Sequence, residues 1–269
     1  MGLGVRFLPG KGVSFNRSVV DSSDVKSLKS IDPAVDLHYV LDAIAMLKKK
    51  LAGSIPVIGF AGSPWTLAAY MVEGQSSPQF MNVRRMLYDE PSTLKALLAR
   101  LTDSIADLLI AQVEAGADAL MLFDSWASWL SYDQYMPFSL EPMQAVIERV
   151  HAAHPQVPVI VFAKGGLPWV EALADCGCQA LGLDWTVDLP KVRAQLGKRK
   201  IALQGNLDPA LLYAPPQVIH QGVRDLIKRH PEPGLIVNLG HGVLQDTNVD
   251  SVATMVHAVQ HESLLENLT

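Results

Sequence analysis

Six apolar runs, each closing on a polar residue or a glycine and each followed by a helical pattern, restrict the fold of this chain more than any other feature. They are Pro56–Ala61, Ala119–Phe123, Val157–Ala163, Ala180–Leu183, Lys200–Leu203 and Leu235–Leu239. Their apolar residues are continuous rather than alternating, as in parallel strands buried on both faces. Between them Thr93–Ala115, Pro137–Ala153 and Ala210–Arg229 repeat leucine, isoleucine and alanine at three- and four-residue steps, which predicts helices with one core-facing side. Strands that alternate with helices imply right-handed crossovers and a parallel sheet, closed into a barrel or left open.

The length of 269 residues suits one complete α/β barrel of about 250 residues, yet only six strands are legible. The first 50 residues offer one apolar patch, Val5–Leu8, a Ser/Asp-rich segment and a helix predicted over Val35–Leu51. Residues 1–269 therefore read as a single partial barrel domain whose two absent units belong at the front. With 49% apolar and 18% charged residues, the chain can build a large core and is not of disordered type.

Neither a secretion leader nor an apolar run of about 18 residues is present, so the expectation is a cytoplasmic protein with no membrane partner. A net charge of −5 argues against nucleic acid as a partner. Cys176-Gly-Cys178 fits neither zinc-ligand spacing nor the redox Cys-x-x-Cys pattern, which leaves two reduced, partly buried thiols and no metal. Lys48-Lys-Lys50 reads as a solvated helix end that complements the helix dipole.

In parallel α/β folds functional groups gather at the carboxyl ends of the strands. Just past the runs stand Gly62-Ser63, Asp124-Ser125, Lys164-Gly-Gly166, Asp184-Trp-Thr186, Gly205-Asn-Leu-Asp208 and Gly240-His-Gly242. Ser63-Pro64 and Asp208-Pro209 have the form of a helix start, a capping side chain followed by proline at the first helical position. Asp124 and Asp184 read as structural rather than catalytic, each a cap or the partner of a strand-end amide. His241 stands between two glycines that let the backbone approach a ligand, and its reading is evenly split between a structural hydrogen bond and a ligand contact.

Taken together the strand-end segments are specific. Gly59-Phe-Ala-Gly-Ser-Pro-Trp-Thr-Leu-Ala-Ala-Tyr-Met-Val-Glu-Gly74, Leu122-Phe-Asp-Ser-Trp126, Gly182-Leu-Asp-Trp-Thr186, Leu203-Gln-Gly-Asn-Leu-Asp-Pro209, Leu212-Tyr-Ala-Pro-Pro216 and Asn238-Leu-Gly-His-Gly242 resemble the uroporphyrinogen decarboxylase family, in family order and over essentially the whole chain. The resemblance implies a (β/α)8 TIM-barrel fold with about six βα units present here, a homodimer, and no metal or organic cofactor. It implies a tetrapyrrole substrate, uroporphyrinogen III, whose four acetate side chains are decarboxylated to give coproporphyrinogen III. Tyr70, Ser125 and His241 fall on the family's substrate contacts, each a donor suited to a carboxylate.

The same resemblance expects an Arg-Gln-Ala-Gly-Arg motif that grips carboxylates and a strand ending in a catalytic aspartate, both ahead of the position matched by Met1. Neither is among the 269 residues, so no catalytic residue is assigned. The expectation is an amino-terminally truncated member, weak or inactive alone, with a misplaced start codon as the other explanation. Two further readings stand beside it: a non-catalytic tetrapyrrole-binding or interaction subunit, and a corrinoid-linked methyltransferase of the same barrel type, which would hold zinc.

Overall fold

Six parallel strands form where the apolar runs predict them, three in each of two compact units of the computed structural model. The structure describes residues 1–8 and 12–266. The first unit holds Met1–Lys164 with Asp175–Cys178, and the second holds Gly165–Ala174 and the chain from Gln179 onward.

The first unit opens with an antiparallel pair, β1 (Val5–Leu8) and β2 (Gly12–Phe15). Helices α1 (Ser22–Ser27), α2 (Pro33–Asp36) and α3 (His38–Leu51) follow. The predicted helix over Val35–Leu51 is thus two helices, because α2 ends at Asp36 and α3 begins at His38. At the start of α1, Asp21 accepts from the Ser23 and Asp24 amides while the Asp24 carboxylate accepts from the Asp21 amide, a reciprocal capping box. Lys48, read as solvated, instead pairs with Asp118.

Strand β3 (Ile58–Gly62) leads into α4 (Pro64–Glu73), α5 (Met81–Asp89) and the 24-residue α6 (Pro91–Glu114), then β4 (Ala119–Asp124). One face of α6 carries Leu94, Leu97, Leu98, Leu101, Ile105, Ala106 and Leu109, all buried, at the spacing that aligns one helical stripe with the core. The chain continues through α7 (Tyr132–Tyr135), a π turn at Met136–Leu140 and α8 (Glu141–Ala153) to β5 (Val159–Ala163). The helix expected from Pro137 starts properly only at Glu141. Pro137 and Pro142 each lack the N–H that an α-helical turn would use there.

Gly59 lies opposite Leu120 and Leu122 opposite Val161 in the β3–β4–β5 ladder. All five residues of β5 are buried, as continuous apolar runs imply. Strand β3 departs from that expectation, since Ile58 and Phe60 are 47% and 63% exposed while Ala61 is buried. Val57 O and Ser63 N bond toward β4, so the backbone groups of Phe60 point to the opposite edge. There the Gln112 carboxamide takes both, accepting from Phe60 N at 2.8 Å and donating to Phe60 O at 3.0 Å. Gly59 makes room for this: a Cβ on it would stand 2.5 Å from Gln112 Oε1.

In the second unit α9 (Val170–Ala174), β6 (Ala180–Gly182), α10 (Leu189–Leu196), β7 (Ala202–Leu207), α11 (Pro216–Arg229), β8 (Leu235–Leu239) and α12 (Val249–Glu266) alternate. Strands β6, β7 and β8 pair in parallel, with Leu203 opposite both Leu181 and Leu235. The helix expected from Ala210 begins only at Pro216. Residues Pro209–Tyr213 form a 3-10 turn, and the Pro215-Pro216 pair keeps the preceding residues extended. Among the described residues no helix is long and apolar enough to cross a membrane.

Candidate active site

In the first unit the carboxyl end of β4 is built around Asp124, which is fully buried. Ser63 Oγ donates to its Oδ1 at 2.9 Å, Thr66 Oγ1 donates to the same oxygen at 3.2 Å, and Ser139 Oγ donates to Oδ2 at 2.6 Å. Burial pushes the carboxyl above its ordinary value of 3.8, against the opposing pull of the hydroxyls of Ser139, Ser63, Thr66 and Tyr135. Both oxygens are occupied from inside the protein. This is the structural role the sequence suggested, with hydroxyls in place of the expected amide.

Ser63 acts twice. Its Oγ also accepts from the Thr66 amide at 3.0 Å, capping α4 ahead of Pro64. Trp65 on the first turn of α4 donates Nε1–H to Trp126 O at 3.0 Å, which ties the loop after β4 to that helix. Ser125, half-buried, sits in this loop between Asp124 and Trp126.

Tyr70 lies almost two turns into α4. Its ring meets Phe80 and Trp126 edge-on, at centroid distances of 5.6 and 5.9 Å. Half-buried, its phenol is pushed by burial further above its ordinary value of 10.0, and like any phenol it is a neutral hydroxyl at neutral pH, a donor rather than a base. The ring also lines an apolar cavity of about 470 Å³ with Leu3, Phe15, Leu67 and Leu101. Tyr70 and the Ser125–Trp126 loop are therefore brought together. Sequence reading missed the aromatic surroundings: Phe80 and Trp126 about Tyr70, and the row Phe60, Phe123 and Phe162 with centroids 5.8 and 6.0 Å apart.

In the second unit His241 follows β8 and is exposed. Its Nδ1 accepts from the Gly242 amide at 2.8 Å, which places the proton of the neutral ring on Nε2 and makes that atom a donor. The Trp185 ring stands edge-on to the imidazole at 6.2 Å. The two flanking glycines have different reasons. A Cβ at Gly240 would lie 2.3 Å from Trp185 N, so this glycine serves packing against the protein's own backbone, whereas Gly242 faces open space.

Asp184 holds the adjacent loops. Its Oδ2 accepts from the Gly165 amide at 2.7 Å, and its Oδ1 accepts from Thr186 N at 2.9 Å and Thr186 Oγ1 at 2.5 Å. Asn206 Nδ2 donates to the carbonyls of Asp184 and Val187 at 2.8 and 2.6 Å. Asp208 accepts from Ala210 N at 2.9 Å, the cap expected of it. Cys176 and Cys178 are both free and buried. Among the described residues no three His, Cys, Asp or Glu side chains are grouped to hold a metal ion.

A family model described as uroporphyrinogen decarboxylase (URO-D) matches residues 1–262. The chain belongs to the uroporphyrinogen decarboxylase family. The uroporphyrinogen decarboxylase of Shewanella piezotolerans is 46% identical over 265 residues, spanning 97% of this chain and 74% of the relative. That of Mannheimia succiniciproducens is 44% identical over 266 residues, spanning 98% of this chain and 75% of the relative. The chain thus spans about three quarters of the length of these decarboxylases. Among solved structures, a methyltransferase from Methanosarcina mazei superposes with a TM-score of 0.82 at 20% identity, covering 98% of this chain and 76% of that one. At that identity the likeness extends to the fold alone.

Proposed function

We propose that this decarboxylase-family chain contributes most of a (β/α)8 barrel, one domain that acts as a homodimer in the cytoplasm on uroporphyrinogen III. The reaction removes carbon dioxide from the acetate side chains and leaves methyls. A proton added to a pyrrole carbon makes the ring an electron sink, and the C–CO2 bond then breaks with its electron pair moving into the ring. A second proton reaches the exocyclic carbon as the first is released, so each carbon dioxide lost takes up one proton net. This route needs no metal or organic cofactor.

The protein's task is to orient a polyanionic macrocycle and stabilise a transient cation, which is electrostatic preorganisation. Tyr70 offers a neutral phenol, Ser125 a hydroxyl beside the same loop, and His241 an Nε2–H whose tautomer is set by Gly242 N, each to a substrate carboxylate. The observation that carries the reading is 46% identity to a uroporphyrinogen decarboxylase over 97% of the chain. The arginine motif and aspartate implied by the resemblance are not among these residues, so the 269-residue chain by itself is expected to bind tetrapyrrole with little or no turnover.

The test incubates the purified chain with uroporphyrinogen, follows coproporphyrinogen by chromatography, and measures uroporphyrin binding by fluorescence quenching. Binding that weakens about tenfold in His241→Ala, the loss of one charge-assisted hydrogen bond, supports the site. Turnover equal to that of a complete relative overturns the assignment of catalysis to the aspartate, and unaltered binding in His241→Ala overturns the role of the imidazole.

A further inference from the structure

The loop that carries His241, residues 240–248, joins β8 to α12 in the second unit. Residues 241–246 are all exposed, Val243 and Leu244 among them, so no buried apolar side chain pins this stretch. Its position depends on hydrogen bonds. Gly240 N donates to Leu207 O at 2.7 Å and ties the start of the loop to β7, while Thr247 N donates to Leu244 O at 3.1 Å and closes a turn within it. Among the hydrogen bonds described, the far side of the loop is tied to another element by Tyr213, whose hydroxyl donates to Asp246 Oδ1.

Tyr213 stands on a fixed base. It ends the 3-10 turn Pro209–Tyr213, which Asp208 caps and in which Leu212 is 1% exposed, so the turn is anchored inward by one residue and presents the next to the loop. The hydrogen bond from Tyr213 holds the Asp246 carboxyl below its ordinary value of 3.8, and the same bond raises the phenol above 10.0. At neutral pH the acceptor is therefore ionised and the donor keeps its proton, which makes the bond charge-assisted. Leu212-Tyr-Ala-Pro-Pro216 is one of the segments that resemble the family, and this bond gives its tyrosine a use.

We propose that Tyr213 is a positioning residue for His241: through Asp246 it holds the loop so that the imidazole Nε2–H meets the substrate carboxylate. The proposal rests on the reading of His241 as a substrate donor, and Tyr213 acts on the loop rather than on the substrate. Without this bond the residues between Gly240 and α12 gain conformational freedom, and the imidazole spreads over more orientations. The bond from Gly242 N to His241 Nδ1 then weakens, which makes the Gly242 amide a reporter of the ring.

The test measures uroporphyrin binding by fluorescence quenching in the full 269-residue chain, and amide exchange without ligand, for Tyr213→Phe, Asp246→Ala and both together. Tyr213 and Asp246 are exposed, so these variants keep the fold. Each single change is expected to weaken binding about fivefold, the pair no more than either, and Tyr213→Phe less than about twofold once His241→Ala is present. Exchange should quicken at Gly242 and stay slow at Gly240, whose partner is the Leu207 carbonyl. An equal effect of Tyr213→Phe with and without His241, or an unchanged Gly242 amide, overturns the proposal. Should the wild type bind no uroporphyrin, the proposed function falls, and exchange at Gly242 alone still decides whether Tyr213 holds the loop.

Discussion

Replacing Asp124 separates two contributions of one buried carboxylate, its charge and its acceptors. In Asp124→Ala the hydroxyls of Ser63, Thr66 and Ser139 lose their acceptor inside a region with no solvent to replace it. Hydrogen bonds to a charged group contribute about 1.5–3 kcal/mol each. The sum over three is an upper bound, because the substitution also relieves the cost of holding a charge out of water, and a net loss of about 3–5 kcal/mol is expected. In Asp124→Asn the remaining Oδ1 still accepts from Ser63 and Thr66, while Nδ2 faces Ser139 Oγ, a hydroxyl that rotates to accept. That variant should lie within about 1 kcal/mol of wild type.

Urea unfolding measures both, provided the slope is unchanged and only the midpoint moves. Acid adds a second readout. Burial raises the native Asp124 pKa above the ordinary 3.8, so the native chain holds this proton more tightly than the unfolded one. The contribution is fully present below 3.8 and is lost as pH rises through the raised native value. Wild type should therefore gain on Asp124→Asn as the pH is lowered toward about 4, other titrations cancelling in the difference. An Asn variant as unstable as the Ala variant, or an Ala variant costing less than about 1 kcal/mol, refutes the three-hydroxyl account.

Two further substitutions test the local packing. Gly240→Ala would put a Cβ 2.3 Å from Trp185 N and 3.0 Å from Trp185 Cα, backbone atoms that cannot rotate away. It is expected to destabilise by about 1–3 kcal/mol in urea and to weaken porphyrin binding with it. Gln112→Leu removes both partners of the Phe60 backbone and should cost about 1–3 kcal/mol, with the Phe60 amide exchanging faster against deuterium than its neighbours in β3.

The parallel strands were readable because their runs are largely continuous in apolar residues, Val159 to Ala163 most plainly, where all five residues are buried. The pair β1 and β2 was not, since four-residue strands are too short for alternation to stand out, and only Val5–Leu8 drew notice. The caps at Ser63 and Asp208 were legible because a cap is local, decided within three residues. The partners of Asp124 were not, because they come from positions 63, 66 and 139, on separate elements that meet only in the fold.

Gly240 shows the same limit from the other side. A glycine beside a histidine invites a ligand reading, yet the atoms that exclude a Cβ there belong to Trp185, 55 positions earlier in the chain. A strand's carboxyl end tells where polar groups gather and leaves open which of them are already spent. Asp124 and Ser125 are neighbours at one such end, and the first has both oxygens filled by hydroxyls of its own protein. A carboxylate so satisfied offers nothing to a polyanion, whereas a phenol and an imidazole that carries its proton on Nε2 are hydrogen-bond donors by their chemistry. Under the proposed function a polyanionic substrate would take donors such as Tyr70 and His241 rather than the buried aspartate, although Asp124 stands at a strand's carboxyl end as His241 nearly does.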